Sequence, residues 1–176
     1  IIHAGRSHQR RLTIIEGKTS ADIRRIIADN DHFTGDITLE TEEGSLLPET
    51  YFFTHGTSRD AMLSRMQEKL DMTLAEAWAD RAPDLPYRTP GEALILASII
   101  ELETADSEDR REVAGVFVNR LRRGMRLQSD PTVLYGVDGG DGREIRRSDL
   151  KRKTDWDTYV IKGLPKTPIC NPSQES

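Results

Sequence analysis

"ASIIELET", residues 97–104, closes the most apolar run of the chain and carries two carboxylates, Glu101 and Glu103. The residues leading into it, "TPGEALIL" at 89–96, predict a helix. Thr89 can cap it, Pro90 suits its first turn, and Glu92 completes a capping box. On a helical wheel Leu94, Ile95, Leu96, Ile99, Ile100 and Leu102 cover most of the circumference, so the helix is expected to be largely buried. Glu103 falls one turn beyond Ile99 and Ile100, inside the apolar arc. Glu101 follows Ala97 and Ser98 on the side of small residues. The wheel therefore expects Glu103 to be carried inward and Glu101 to be solvated or structural. A buried carboxylate either pairs with a cation, Arg110 and Arg120 being the candidates, or holds a proton. In the second case it has the state a general acid needs. The pattern leaves both outcomes open.

Working outward, the chain predicts an α+β fold, rich in helix, with Glu103 at the end of a buried helix. Residues 10–16 read as a strand and 19–30 as a short amphipathic helix with Ile23, Ile26 and Ile27 on one face. Residues 31–57 are irregular, with extended pieces at 37–40 and 51–53. A long helix opens at Ser58 and runs to about residue 80. The proline-rich 81–92 segment divides an N-terminal strand and helix portion, 11–88, from a core portion, 89–176. A helix over 108–123 ends at Gly124, which suits a C-cap. Residues 125–137 read as a loop with one helical turn after Pro131, followed by a glycine-rich tip at 138–142. "WDTYVIKGL" at 156–164 reads as a strand, so strands from both ends of the chain would form a small mixed sheet. The tail from Pro165 is a loop.

Composition narrows the function. With 176 residues, 36% hydrophobic and 31% charged, the chain can build a real core. A net charge of −5 argues against a nucleic-acid partner despite the local "RLRRGMR". One cysteine, Cys170, rules out an intrachain disulfide or a multi-cysteine zinc site. His3, His8, His32 and His55 form no metal-binding spacing, and no Walker, GxGxxG or GxSxG motif occurs. No metal or cofactor is expected. No apolar run is long enough to span a membrane.

Five stretches in order, "RLTIIEGKTSADI" (11–23), "EGSLLPETYFF" (43–53), "LILASIIELET" (94–104), "VAGVFVNRLRRGMRLQSDPTVLYGV" (113–137) and "DTYVIKGLPKTPICNPS" (157–173), resemble the signature blocks of one family. It is the YceG-like family of endolytic murein transglycosylases (MltG). The resemblance implies a lytic transglycosylase that cuts peptidoglycan strands internally, at the MurNAc–GlcNAc β-1,4 bond, leaving 1,6-anhydro-MurNAc ends. It places the catalytic acid/base on the second glutamate of the E-x-E-T motif, Glu103. It implies sugar-binding or orienting roles for Asn119, Gln128, Asp130 and Tyr159, and weaker ones for Ser129, Thr132 and Tyr135. Asp157 stands where the family usually has an amide, and "GLPKTP" and "NPS" depart from its last block. The resemblance also implies peptidoglycan synthases as partners and a single-pass anchor in the cytoplasmic membrane, with the catalytic part outside. That anchor, a LysM-like module and a C-terminal end are expected to be missing from this chain, making 1–176 a truncated catalytic domain. Three rivals stay open: a hydrolytic muramidase using a second carboxylate such as Asp130, a non-catalytic glycan-binding module, and a pyridoxal-phosphate lyase, for which no lysine sits in a recognisable motif.

Overall fold

The computed structural model describes residues 8–104, 106–140, 145–149 and 152–176. His3 and the far end of the glycine-rich tip lie outside them. Within them the chain folds as β1 (Gln9–Thr13), α1 (Ser20–Ala28), β2 (Thr50–Thr54), α2 (Arg59–Ala79), α3 (Pro90–Glu103), α4 (Ser107–Arg122) and α5 (Asp130–Asp138). The α+β class is as expected, but the sheet is smaller and simpler than the mixed one foreseen. Its two strands, β1 and β2, pair antiparallel with Leu12 opposite Tyr51, and both come from the first third of the chain.

Local chemistry explains most helix ends. Thr19, Ser58 and Asp106 each accept a hydrogen bond from an amide in the first turn of α1, α2 and α4. At α3 the capping box of Thr89 and Glu92 is complete and Pro90 occupies the first turn. Thr104 is extended, at φ −144° and ψ 132°, so α3 stops with Glu103 in its final turn. Gly124 takes φ +65° just past α4, a conformation that favours glycine.

Two clusters form the core. Ile14, Ile23, Ile27, Leu46, Tyr51, Met62 and Met66 join the sheet to α1 and α2. Leu96, Ile99, Ile100, Phe117, Leu127 and Ile169 pack α3 against α4, the 127 turn and the C-terminal tail. The two clusters fall on either side of the proline-rich connection. Asn171 ties them together. Fully buried, it accepts from the Leu46 amide at 2.8 Å and donates to the Lys18 carbonyl at 2.9 Å.

Two expectations in the second half fail. Residues 156–164 are a series of turns, not a strand. The turn is built by Asp157, whose side chain accepts from the Tyr159 amide at 2.9 Å and whose carbonyl accepts from Val160 and Ile161. An Asp that bonds the backbone two residues on favours a turn over a strand. Residues 130–138 form a nine-residue helix where only one turn was expected, ended by Gly139 at φ +79°. Tyr135 and Trp156, whose rings meet at 5.6 Å, help dock that helix on the turns.

Candidate active site

The two glutamates exchange the places that the wheel gave them. Glu101 is buried, at 9% exposure, whereas Glu103 is exposed at the end of α3. The wheel took Ala97 and Ser98 as a solvent-facing side. Small residues instead let the C-terminal tail approach α3 closely. The Ile169 amide donates to Ser98 Oγ at 3.0 Å, and the Cys170 thiol donates to the Ser98 carbonyl at 3.3 Å. The tail then reaches Glu101, whose Oε2 accepts from the Ser173 amide at 2.7 Å and from Ser176 Oγ at 2.6 Å. Its Oε1 accepts from Arg110 at 3.2 Å. Burial pushes the Glu101 carboxyl up. Hydrogen bonds from Ser176 and Ser173, with the Arg110 charge, outweigh that and hold its pKa below the ordinary carboxylate value. Arg110 is therefore the partner of Glu101, not of Glu103. Arg120 donates its guanidinium to the Leu127 carbonyl.

Glu103 has a different kind of environment. A carboxylate is poorly placed at the negative end of a helix, and the last turn of α3 contains no basic residue. What meets it is a hydroxyl: Ser129 Oγ donates to Glu103 Oε1 at 2.5 Å, a short bond of the kind a hydroxyl makes to a carboxylate. Ser129 is 1% exposed and is the N-cap residue of α5. The residue before it, Gln128, is held at φ +55°, a left-handed conformation unfavourable for a side chain with a Cβ. Backbone strain of this kind persists only where its surroundings impose it. Here Gln128 N–H donates to the Thr158 carbonyl at 3.1 Å.

Asp130 and Tyr159 form a pair beside this point, with the phenol donating to Asp130 Oδ1 at 2.7 Å. The Asp130 acceptor, burial and the nearby Asp130 and Glu103 charges push the Tyr159 pKa up to about 12, tempered by Arg120. The phenol therefore stays protonated and acts as a donor at any ordinary pH. Gln128 and Asp130 are exposed, as is Asn119 on α4. The structure thus brings Glu103, Ser129, Asp130 and Tyr159 together, with Gln128 alongside, while Asn119 takes no part in their hydrogen-bond chain. Tyr135 faces elsewhere: its hydroxyl donates to Glu43 Oε2 at 3.3 Å. Thr132 is fully buried behind Ser129.

Sequence reasoning passed over Thr158, which is fully buried and accepts the Ser129 amide at 2.9 Å. It lies within the 157–173 block, but a threonine in a presumed strand carries no functional signal. The apolar cleft of about 200 Å³ between α2, α3, α4 and the tail is lined by residues such as Leu70, Leu94, Ile100 and Val118, none of them a predicted site residue. No cluster of ligating side chains suited to a metal occurs among the described residues.

Fold and site together define an α+β protein with one open carboxylate at a helix end, fixed by a buried hydroxyl and flanked by an Asp–Tyr pair. The YceG-like family profile matches residues 1–176, and the chain belongs to that family. It is 33% identical over 140 residues to an endolytic murein transglycosylase of Streptococcus pneumoniae serotype 2, covering 76% of this chain and 25% of that protein. It is also 33% identical over 135 residues to the Bacillus subtilis protein of the same name, covering 76% of this chain and 37% of that one. The chain therefore spans a quarter to just over a third of these relatives. A crystal structure of a YceG-like protein from Listeria monocytogenes superposes with a TM-score of 0.73 at 27% identity, covering 94% of this chain and 64% of that one.

Proposed function

We propose that this chain carries the chemistry of an endolytic peptidoglycan lytic transglycosylase, with Glu103 as its single acid/base. The observation that carries this reading is the placement of Glu103: exposed, at a helix terminus, with one oxygen fixed by Ser129 Oγ at 2.5 Å. The names of the curated relatives support the substrate class.

One carboxyl suffices for this reaction. Oε1 takes the Ser129 hydrogen bond, and Oε2 is left to carry the acid proton. That proton passes to the glycosidic oxygen as the bond from C1 of MurNAc breaks. The C6 hydroxyl of the same sugar then bonds to C1, and its proton returns to Oε2. The nucleophile is already tethered, so it gains from proximity without a positioned water. A hydrolytic glycosidase needs a second carboxylate at a set separation. Asp130 is the candidate at hand, and its engagement by Tyr159 at 2.7 Å supports the one-carboxyl route. Because the fold leaves Glu103 open, water exclusion falls to the bound strand. The expectation that apolar burial would keep Glu103 protonated is not met, because Glu103 is exposed.

The same reading makes glycan strands the partner, with peptidoglycan synthases beside them at the outer face of the cytoplasmic membrane. Among the described residues no helix is long and apolar enough to cross a membrane. The test is digestion of purified glycan strands by wild type and Glu103→Gln, read by mass spectrometry. Anhydro ends lack one water relative to reducing ends. Wild type is expected to give anhydro ends and Glu103→Gln none. Reducing ends from the wild type would favour the muramidase, and cutting by the variant would remove Glu103 from the chemistry.

A further inference from the structure

Ser129 does something unusual for a residue in its position. At α1, α2, α3 and α4 the N-cap side chain accepts a hydrogen bond from its own helix. At α5 the N-cap serine makes no such bond. Its hydroxyl is turned instead to Glu103. A serine free to rotate would return to capping, which is the ordinary preference of a hydroxyl there. Something must hold the Ser129 backbone where capping is not the outcome.

The restraint is a closed ring of hydrogen bonds whose proton directions can be assigned, since each hydroxyl has one hydrogen. Thr132 Oγ1 donates to the Ser129 carbonyl at 2.6 Å. With that proton committed, the 2.8 Å contact between Thr132 Oγ1 and Thr158 Oγ1 is donated by Thr158. Thr158 Oγ1 in turn accepts from the Ser129 amide at 2.9 Å. The ring thus runs from Ser129 N–H through Thr158 and Thr132 back to the Ser129 carbonyl. Ser129 is 1% exposed and both threonines 0%, so water does not compete for these bonds. Both backbone polar groups of Ser129 are satisfied, and its hydroxyl is left over for Glu103. The turn that Asp157 builds supplies Thr158, and the strained Gln128 preceding Ser129 is bonded to the Thr158 carbonyl.

We infer that Thr158 is a positioning residue for Glu103, acting through Ser129: it fixes the backbone from which the Ser129 hydroxyl orients the acid. This deepens the proposed function and rests on it. A loss of orientation by about 1 Å can lower turnover about 100-fold without weakening binding.

The test uses the full chain on purified, uncross-linked glycan strands, with kcat and KM measured for Thr158→Val, Thr158→Ser, Thr132→Val, Ser129→Ala and the Ser129→Ala/Thr158→Val double variant. Thr158→Val keeps the branched shape and removes the hydroxyl. It should lower kcat by about 10- to 100-fold with KM within about twofold, and Thr158→Ser should restore most of the turnover. The double variant should be no slower than Ser129→Ala, because both remove the same step. Should Thr158→Val fail to fold, Thr132→Val opens the ring from the other side and must show the same loss and the same non-additivity. Wild-type kcat in either valine variant, or losses that multiply with Ser129→Ala, overturn the inference. Glu103→Gln separates the two readings. If it still cuts, the proposed function falls. If it is dead while the valine variants turn over normally, only Thr158 loses its role.

Discussion

Replacing Glu101 by glutamine separates the two acids of the E-x-E-T motif by their physics. The pair Glu101–Arg110 is nearly closed to solvent, with side-chain exposures of 5% and 13%. Glu101 Oε2 accepts from the Ser173 amide and the Ser176 hydroxyl, while Oε1 accepts from Arg110. An amide can reproduce only one of these oxygens. Its NH₂ must face either Arg110 or the Ser173 amide, donor against donor. At least one hydrogen bond to a charged group is lost, each about 1.5–3 kcal/mol, and a buried guanidinium is left half-paired. Glu175 does not compensate, being 73% exposed at 3.4 Å from Arg110. The expected loss is about 3 kcal/mol, at the low end for breaking a buried pair. For a chain of this size that lowers Tm by about 6–12 °C. Glu103→Gln, at an exposed site, should move Tm by less than about 2 °C yet stop glycan cleavage. Urea unfolding and the strand assay, run on both variants, read the two effects. A Glu101→Gln loss below about 1 kcal/mol would refute the argument, because it would make the pair no stronger than one on the surface.

Other perturbations test other joints of the fold. Asn171→Ala orphans the buried Leu46 amide and should cost about 2–3 kcal/mol in urea unfolding; a change under about 1 kcal/mol would deny that Asn171 links the two cores. Burial raises the Glu43 pKa, so the folded chain keeps that proton to higher pH than the unfolded one. The group therefore adds stability in acid and loses it as pH rises through the folded value. Glu43→Gln should consequently gain Tm relative to wild type as pH rises above the ordinary carboxylate value of 4.5, whereas Glu101→Gln should lose it as pH rises toward that value from below. An alanine Cβ at Gly136 would meet Thr154 Cβ at 2.9 Å and overlap its Oγ1, whereas one at exposed Gly115 meets nothing within 4 Å. Gly136→Ala should cost about 1–3 kcal/mol, and Gly115→Ala, in the middle of α4, should stabilise by up to about 1 kcal/mol. Equal effects from the two would contradict the packing of α5 on residue 154.

Much of this was legible along the chain. The capping box at Thr89 and Glu92, the proline at 90 and the glycine at 124 set the ends of α3 and α4 by local hydrogen bonds and φ preferences alone. The extended piece expected at 51–53 falls within β2, and the structure turns its Tyr51 and Phe53 inward. The E-x-E-T resemblance pointed to Glu103 through its motif, and the wheel agreed for a reason that the structure does not support. α3 is apolar almost all round, so its periodicity gave no usable direction, and its last turn leaves Leu102 at 38% exposure beside Glu103. The 156–164 stretch was misread because its β-branched and aromatic residues outweighed one aspartate that bonds its own backbone.

Local sequence set where α1 to α4 begin and end, though not the extent of α5, together with which residues are apolar and which family the chain resembles, since caps, glycines and motif blocks act within a few residues of one another. Which glutamate is buried was decided by a tail arriving from 72 residues away to bond Glu101. Which hydroxyl holds Glu103 was decided by a turn that brings Thr158 to Ser129 across 29 residues. Such contacts depend on the packing of α3 against the tail and of α5 against the turns. No local pattern encodes them, and in the structure they separate a structural acid from an open one.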